Sequence, residues 1–256
     1  MFTRLYIAIF ALVLIFFSPS STAKTLTLNI AVASNFAATA KQLSVVFEQQ
    51  HNVKLQWITG ATGTLFQQIK HGAPYDVFLA ADEERPRKLA DTGELTMQSL
   101  SPFAIGQLAV YSTKQIPTDI KQLKQTLPAL QRIAIANPRF APYGLAAKAW
   151  LEEQALWQDN KRYILGLNVA QTFQQTRSGA VDIGFVALSQ LIVHNLPFTL
   201  LEVDDSLLTQ YGGVLARSQH QSIANSYLNF LTSEPIQRQL SALGYKPILS
   251  VSGESR

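Results

Sequence analysis

The chain contains no cysteine. That excludes disulfides, thiolate nucleophiles, thiolate metal ligands and lipid attachment through a cysteine behind a leader. Histidine is scarce. The four residues (His51, His71, His194 and His220) stand far apart, and no pair has metal-site spacing such as His-Glu-x-x-His. No Gly-x-Ser-x-Gly elbow surrounds a serine, and no glycine-rich loop ends in Gly-Lys-Ser/Thr, so a serine-hydrolase elbow and a phosphate-cradling P-loop are both missing. Charged residues make up only 15% of the chain, with a small basic excess. No basic run with interleaved aromatics occurs, so nucleic acid is not indicated as a partner. Repeats, heptads and low-complexity tracts are absent as well.

What is present is apolar and patterned. The 256 residues are 47% hydrophobic, enough for one large domain or two small ones with sizeable cores. Arg4, the unbroken apolar run from Leu5 to Phe17 and the small residues from Ser18 to Ala23 read as a secretory signal peptide over residues 1–23, cleaved after Ala23. The apolar run is short for a bilayer span of roughly 20 residues, and no later stretch is long enough to cross one. The mature chain is therefore expected in the periplasm, where lack of cysteine avoids stray oxidation. Losing Arg4 from 21 basic residues leaves 20 against 17 acidic, a charge of +3.

The organising stretch is Ile30 to Phe36, where a buried strand runs into a helix start. Ser34 and Asn35 are N-cap types, and Phe36, Ala40, Leu43 and Phe47 recur on one helical face. Such a junction presents free N–H groups and the positive end of a helix dipole, which is where anions bind. The device returns three times: Val53 to Ile58 leads into Gly60-Ala61-Thr62-Gly63-Thr64, with Thr62 or Thr64 as cap; Ile133 to Ala136 leads into a proline-stiffened loop ending at Tyr143; and Tyr163 to Leu167 leads into Asn168-Val169. Between them, Phe103 to Tyr111 reads as a crossover strand and Tyr211 to Ala216 as a strand that crosses back. Recurrent strand–helix alternation predicts an α/β fold of two lobes, each a mostly parallel sheet flanked by helices, with the ligand cleft between them. Residues 24–106 and 215–256 are expected to form lobe 1, and 107–214 lobe 2.

The candidate ligands are Ser34, Asn35, Thr62, Tyr143 and Val169, all neutral and all able to donate from side chain or backbone. A donor-only pocket suits a fully ionised oxyanion and disfavours a protonated phosphate, whose hydroxyl needs an acceptor. Asp76 and Asp82 form a rival carboxylate pair for a periplasmic enzyme, but Asp82 reads better as a helix cap and Asp76 as a turn or hinge partner. Arg139 reads as a solvated surface residue.

In this order and at these spacings, Ala33-Ser34-Asn35-Phe36, Gly60-Ala61-Thr62-Gly63-Thr64, Gly72-Ala73-Pro74-Tyr75-Asp76-Val77-Phe78, Ala80-Ala81-Asp82-Glu83, Asn137-Pro138 with Ala141-Pro142-Tyr143-Gly144, Asn168-Val169-Ala170-Gln171 and Asp182-Ile183-Gly184-Phe185-Val186-Ala187-Leu188 resemble the periplasmic molybdate-binding proteins of ABC importers, a two-lobed solute-binding family. The resemblance covers nearly the whole mature chain. It implies a non-enzymatic, monomeric carrier of molybdate or tungstate that needs no cofactor and no bare metal cation, and that delivers its ligand to an ABC permease and its ATPase. A sulfate-type carrier and a sensory or adaptor domain are the alternatives. It further implies that Ser34 and Asn35 donate from the first lobe, that Thr62 replaces the usual serine, and that Tyr143 and Val169 donate from the second. One branch of the family carries a tyrosine where this chain has Ala187, so Asn35 is expected to supply the missing donor.

Overall fold

The computed structural model describes residues 25–114, 119–158 and 162–248. The expected leader, residues 1–23, lies outside them. Among the described residues, no helix is long and apolar enough to cross a membrane.

Two sheets carry the fold. The first has six strands: β1 (Leu26–Ala33), β2 (Val53–Gly60), β3 (Val77–Leu79), β4 (Ser101–Gly106), β10 (Thr209–Val214) and β11 (Tyr245–Lys246), in the order β11-β4-β10-β3-β1-β2. The second has five: β5 (Leu108–Tyr111), β6 (Ile133–Ala136), β7 (Tyr163–Gly166), β8 (Ile183–Ala187) and β9 (Thr199–Leu201), in the order β7-β6-β8-β5-β9. Pairing is parallel among β2, β1 and β3 and among β7, β6 and β8, and antiparallel elsewhere. Both sheets are therefore mixed, although most strands of each point one way.

From Ile30 onward β1 is continuously apolar and buried on both faces, as parallel strands between helix layers are, while Thr27 and Asn29 before it are half-buried. On one face it packs against α1 (Ala37–His51), α8 (Gln221–Thr232) and α9 (Glu234–Ala242) through Phe36, Phe47, Tyr227 and Leu240. On the other it packs against α2 (Thr62–Lys70) and α3 (Glu84–Asp91) through Leu65, Phe78 and Leu89. The second sheet is covered by α4 (Ile120–Thr126), α5 (Pro142–Glu153), α6 (Val169–Arg177) and α7 (Leu188–Val193). Its core, centred on Ile135, Trp150 and Phe185, also takes in Ala33 at the end of β1 and Ala61 and Ala81 just beyond β2 and β3. Only side chains this small let the two halves meet so closely at the strand ends.

The chain passes between sheets twice, at Gln107 and after Leu208, and the crossings are tied together by the Gly106 N–H to Leu208 C=O bond of 2.9 Å. Three expectations need correction. The single crossover strand at Phe103 to Tyr111 is two strands, because the chain changes sheets at Gln107. The lobe boundary at 214/215 falls too late, since Thr209–Val214 hydrogen-bonds to β3 and β4 within the first sheet. Helix starts also differ: α1 begins at Ala37 behind Phe36, and α2 begins at Thr62 behind Ala61, each without a side-chain cap. Ser34, Asn35 and Thr62 therefore cap nothing, and their polar groups are left for other uses.

Candidate functional site

Ser34, Asn35, Thr62, Tyr143 and Val169 all line one small pocket between the two sheets, with about 180 Å³ of empty space. The lining contains no residue with a formal charge. Four of the five are nearly sealed from solvent, between 1 and 3% exposed, and only Ser34 is half-buried.

Each reaches the pocket by a local cause. Ser34 and Asn35 follow β1, where the chain turns before α1; the Ser34 N–H is held by the Gly60 carbonyl at 2.9 Å, so its hydroxyl is the group left to donate. Thr62 opens α2, and its Oγ1 accepts the Ala81 N–H at 3.1 Å. A hydroxyl that accepts in this way keeps its own proton for a further acceptor. Tyr143 is the second residue of α5 rather than the last before it, because Pro142 is tolerated in a first turn. Gly144 makes this start possible: a Cβ there would lie 2.0 Å from the Ala136 carbonyl oxygen, so only glycine lets α5 pack onto β6. Val169 opens α6 behind Asn168, whose side chain accepts the Gln171 N–H at 3.0 Å. The backbone N–H groups of Tyr143 and Val169 lie in first turns, where no intrahelical acceptor exists. Partial positive charge from the starts of α2, α5 and α6 therefore gathers at one point.

The Tyr143 hydroxyl is the second group, beside its backbone N–H, through which this residue could donate. It is buried and has no hydrogen-bond partner among the described residues. Burial and the neighbouring Tyr245 push its pKa well above the usual phenol range, while Asn35 and the Gln107 backbone act weakly the other way without completing a bond. Ala187 is fully buried in the second core and does not line the pocket.

The acidic pair is committed to the scaffold. Asp76 accepts the Asn29 N–H at 2.8 Å and the Ser218 hydroxyl at 2.5 Å. Asp82 accepts the Arg85 N–H at 3.1 Å and pairs with the Arg85 guanidinium; burial raises its pKa and Arg85 opposes the rise. Arg139 is exposed, with its guanidinium over the Phe140 ring. Among the described residues, no group of three or more His, Asp or Glu is placed to hold a metal ion.

Two features carry no local sequence signal. Gln210, fully buried in β10, accepts the Asn35 Nδ2–H at 3.0 Å across 175 residues of chain. The Gly63 N–H donates to the Phe140 carbonyl at 2.8 Å, joining α2 to the loop before α5.

Comparison with known proteins agrees with this architecture. Residues 28–246 match the family model described as bacterial extracellular solute-binding protein. The chain is 32% identical over 226 residues to the molybdate-binding protein ModA of Azotobacter vinelandii, covering 84% of this chain and 88% of the relative. It is 29% identical over 220 residues to ModA of Rhodobacter capsulatus, covering 84% and 86%. The solved structure of the Azotobacter vinelandii periplasmic molybdate-binding protein superposes with a TM-score of 0.78 at 30% identity, covering 85% of this chain and 98% of that one. With its two helix-flanked sheets and a family match over nearly all its described length, the chain belongs to the bacterial extracellular solute-binding proteins.

Proposed function

We propose that this protein is the solute-binding component of an ABC importer and that it captures molybdate, and the similar tungstate, for delivery to a membrane permease and its ATPase. The observation that carries the reading is the meeting of five uncharged donor residues, from both sheets, around one small pocket. An ionised tetrahedral oxyanion offers only acceptors, so a pocket of hydroxyls, an amide and helix-start N–H groups can saturate it without a countercharge. The relatives named as molybdate-binding proteins support the choice of anion. The protein acts as a carrier rather than an enzyme, as a periplasmic monomer freed of its leader, and needs no cofactor. The residues that ligate the anion are Ser34, Asn35, Thr62, Tyr143 and Val169, the last two through backbone N–H groups. The lobes correspond to the two sheets, which close over the ligand. Sulfate has the same charge and shape but is smaller, so it would leave some donors unsatisfied in a pocket sized for molybdate.

Calorimetric titration of the purified protein with molybdate, tungstate, sulfate and phosphate tests the reading. Tight binding of the first two and weak or no binding of the others is the expected result. Tight sulfate binding without molybdate binding would leave a sulfate-type carrier instead.

A further inference from the structure

We propose that Gln210 is the positioning residue that makes the pocket selective for fully ionised oxyanions, by fixing which end of the Asn35 amide faces the ligand. The proposal rests on the oxyanion reading above. Gln210 itself does not line the pocket, whereas Asn35 does. Asn35 is held at both ends. Its backbone carbonyl accepts the Tyr245 hydroxyl at 2.9 Å and the Ser189 hydroxyl at 3.3 Å, and its Nδ2 donates to Gln210 Oε1 at 3.0 Å.

A carboxamide has a donor end and an acceptor end of nearly the same shape. Turned one way it can serve a dianion; turned the other way it repels a bare oxyanion but accepts from the hydroxyl of hydrogen phosphate. Gln210 Oε1 accepts from only one of the two Nδ2 protons. With its acceptor oxygen turned to Asn35, Gln210 favours the donor end of that amide on the pocket side and leaves the second proton for a ligand.

The surroundings of Gln210 argue against a purely structural role. Its Nε2 is buried without a partner among the described residues, as is the Tyr143 hydroxyl. Both crowd the space above Gly106, where an added Cβ would lie 3.1 and 2.2 Å from them. An amide buried half-satisfied costs stability, and an apolar side chain of similar size would serve the β10 core better. Local rules broken in this way mark sites shaped by function.

The test uses Gln210→Met in the whole protein and in an Asn35→Ala background, with titration by molybdate and by phosphate near neutral pH. In the native background, molybdate affinity should fall about tenfold, the value of one hydrogen bond, and the molybdate-to-phosphate ratio should narrow. In the Asn35→Ala background the same change should alter molybdate affinity by less than about twofold, because the group that Gln210 positions is gone. Equal losses in both backgrounds, or a fall that leaves the anion ratio unchanged, would overturn the positioning role. Gln210→Asn, which withdraws the amide by one methylene, carries the same expectation if the methionine variant does not fold. Failure of the unaltered protein to bind any oxyanion would sink the oxyanion reading and this role with it; normal binding unaffected by Gln210→Met would sink this role alone.

Discussion

The two sides of the pocket are built from different chemical material. The first sheet contributes side chains: the hydroxyls of Ser34 and Thr62 and the amide of Asn35. The second contributes helix starts. Val169 has no polar side-chain atom at all, and the Tyr143 hydroxyl is buried against Gly106, so on this side the groups left to donate are backbone N–H. The first side is specified by residue identity and is open to tuning by substitution. The second is specified by where α5 and α6 begin, because a backbone N–H is present whichever side chain stands there.

That contrast can be broken most severely from the first side. Replacing Ser34 and Thr62 together by alanine should weaken molybdate binding by several kcal/mol at most, given roughly 1.5–3 kcal/mol for each hydrogen bond to a charged acceptor. Calorimetry would read this directly, and an unchanged affinity would place the anion elsewhere. An intermediate effect is expected at the seam between the sides. A Cβ on Gly63 would lie 3.0 Å from both the Phe140 Cα and its carbonyl oxygen, so Gly63→Ala should resist close approach of the two lobes. Affinity should drop by about tenfold while thermal stability holds or rises, since alanine is the better helix former by about 1 kcal/mol. Titration beside a melting curve separates the two effects; a loss of stability with intact affinity would show that the Gly63–Phe140 contact serves folding and not closure. The smallest effect on affinity belongs to Val169→Ala. Its backbone N–H persists, so binding should stay within about twofold, whereas loss of two buried methyl groups should cost stability by roughly 1–3 kcal/mol. A large affinity loss there would mean that the valine side chain, and not its N–H, matters to the ligand.

Periodicity and punctuation made most of the elements legible. The stretch Ile133 to Ala136 is a strand with those bounds, Asn168 caps α6, and Gly179 and Gly244 take the positive φ values of 74° and 85° that end helices. Caps failed at Ser34, Asn35 and Thr62 because a polar residue near a helix start is read locally as a cap, while its actual partner lies elsewhere in the chain. Thr62 turns to the Ala81 N–H and Asn35 to Gln210. The same limit hid the change of sheet at Gln107: Gly106-Gln107 interrupts the apolar run between Phe103 and Tyr111, but so short a break does not say that the hydrogen-bond partner changes from β10 to β8.

By itself, the sequence determined the kinds of chemistry open to this protein. With no cysteine, no spaced histidines and uncharged hydroxyl, amide and small residues at four strand–helix junctions, it placed hydrogen-bond donors at those junctions. These are properties of composition and short-range order, which the local chain encodes. Only the tertiary structure decided that the junctions converge on one pocket, that β10 returns to the first sheet, and that Gln210 grips Asn35. Those facts depend on pairings between residues up to 175 positions apart, and such pairings arise from packing two sheets together, not from the preferences of any one segment.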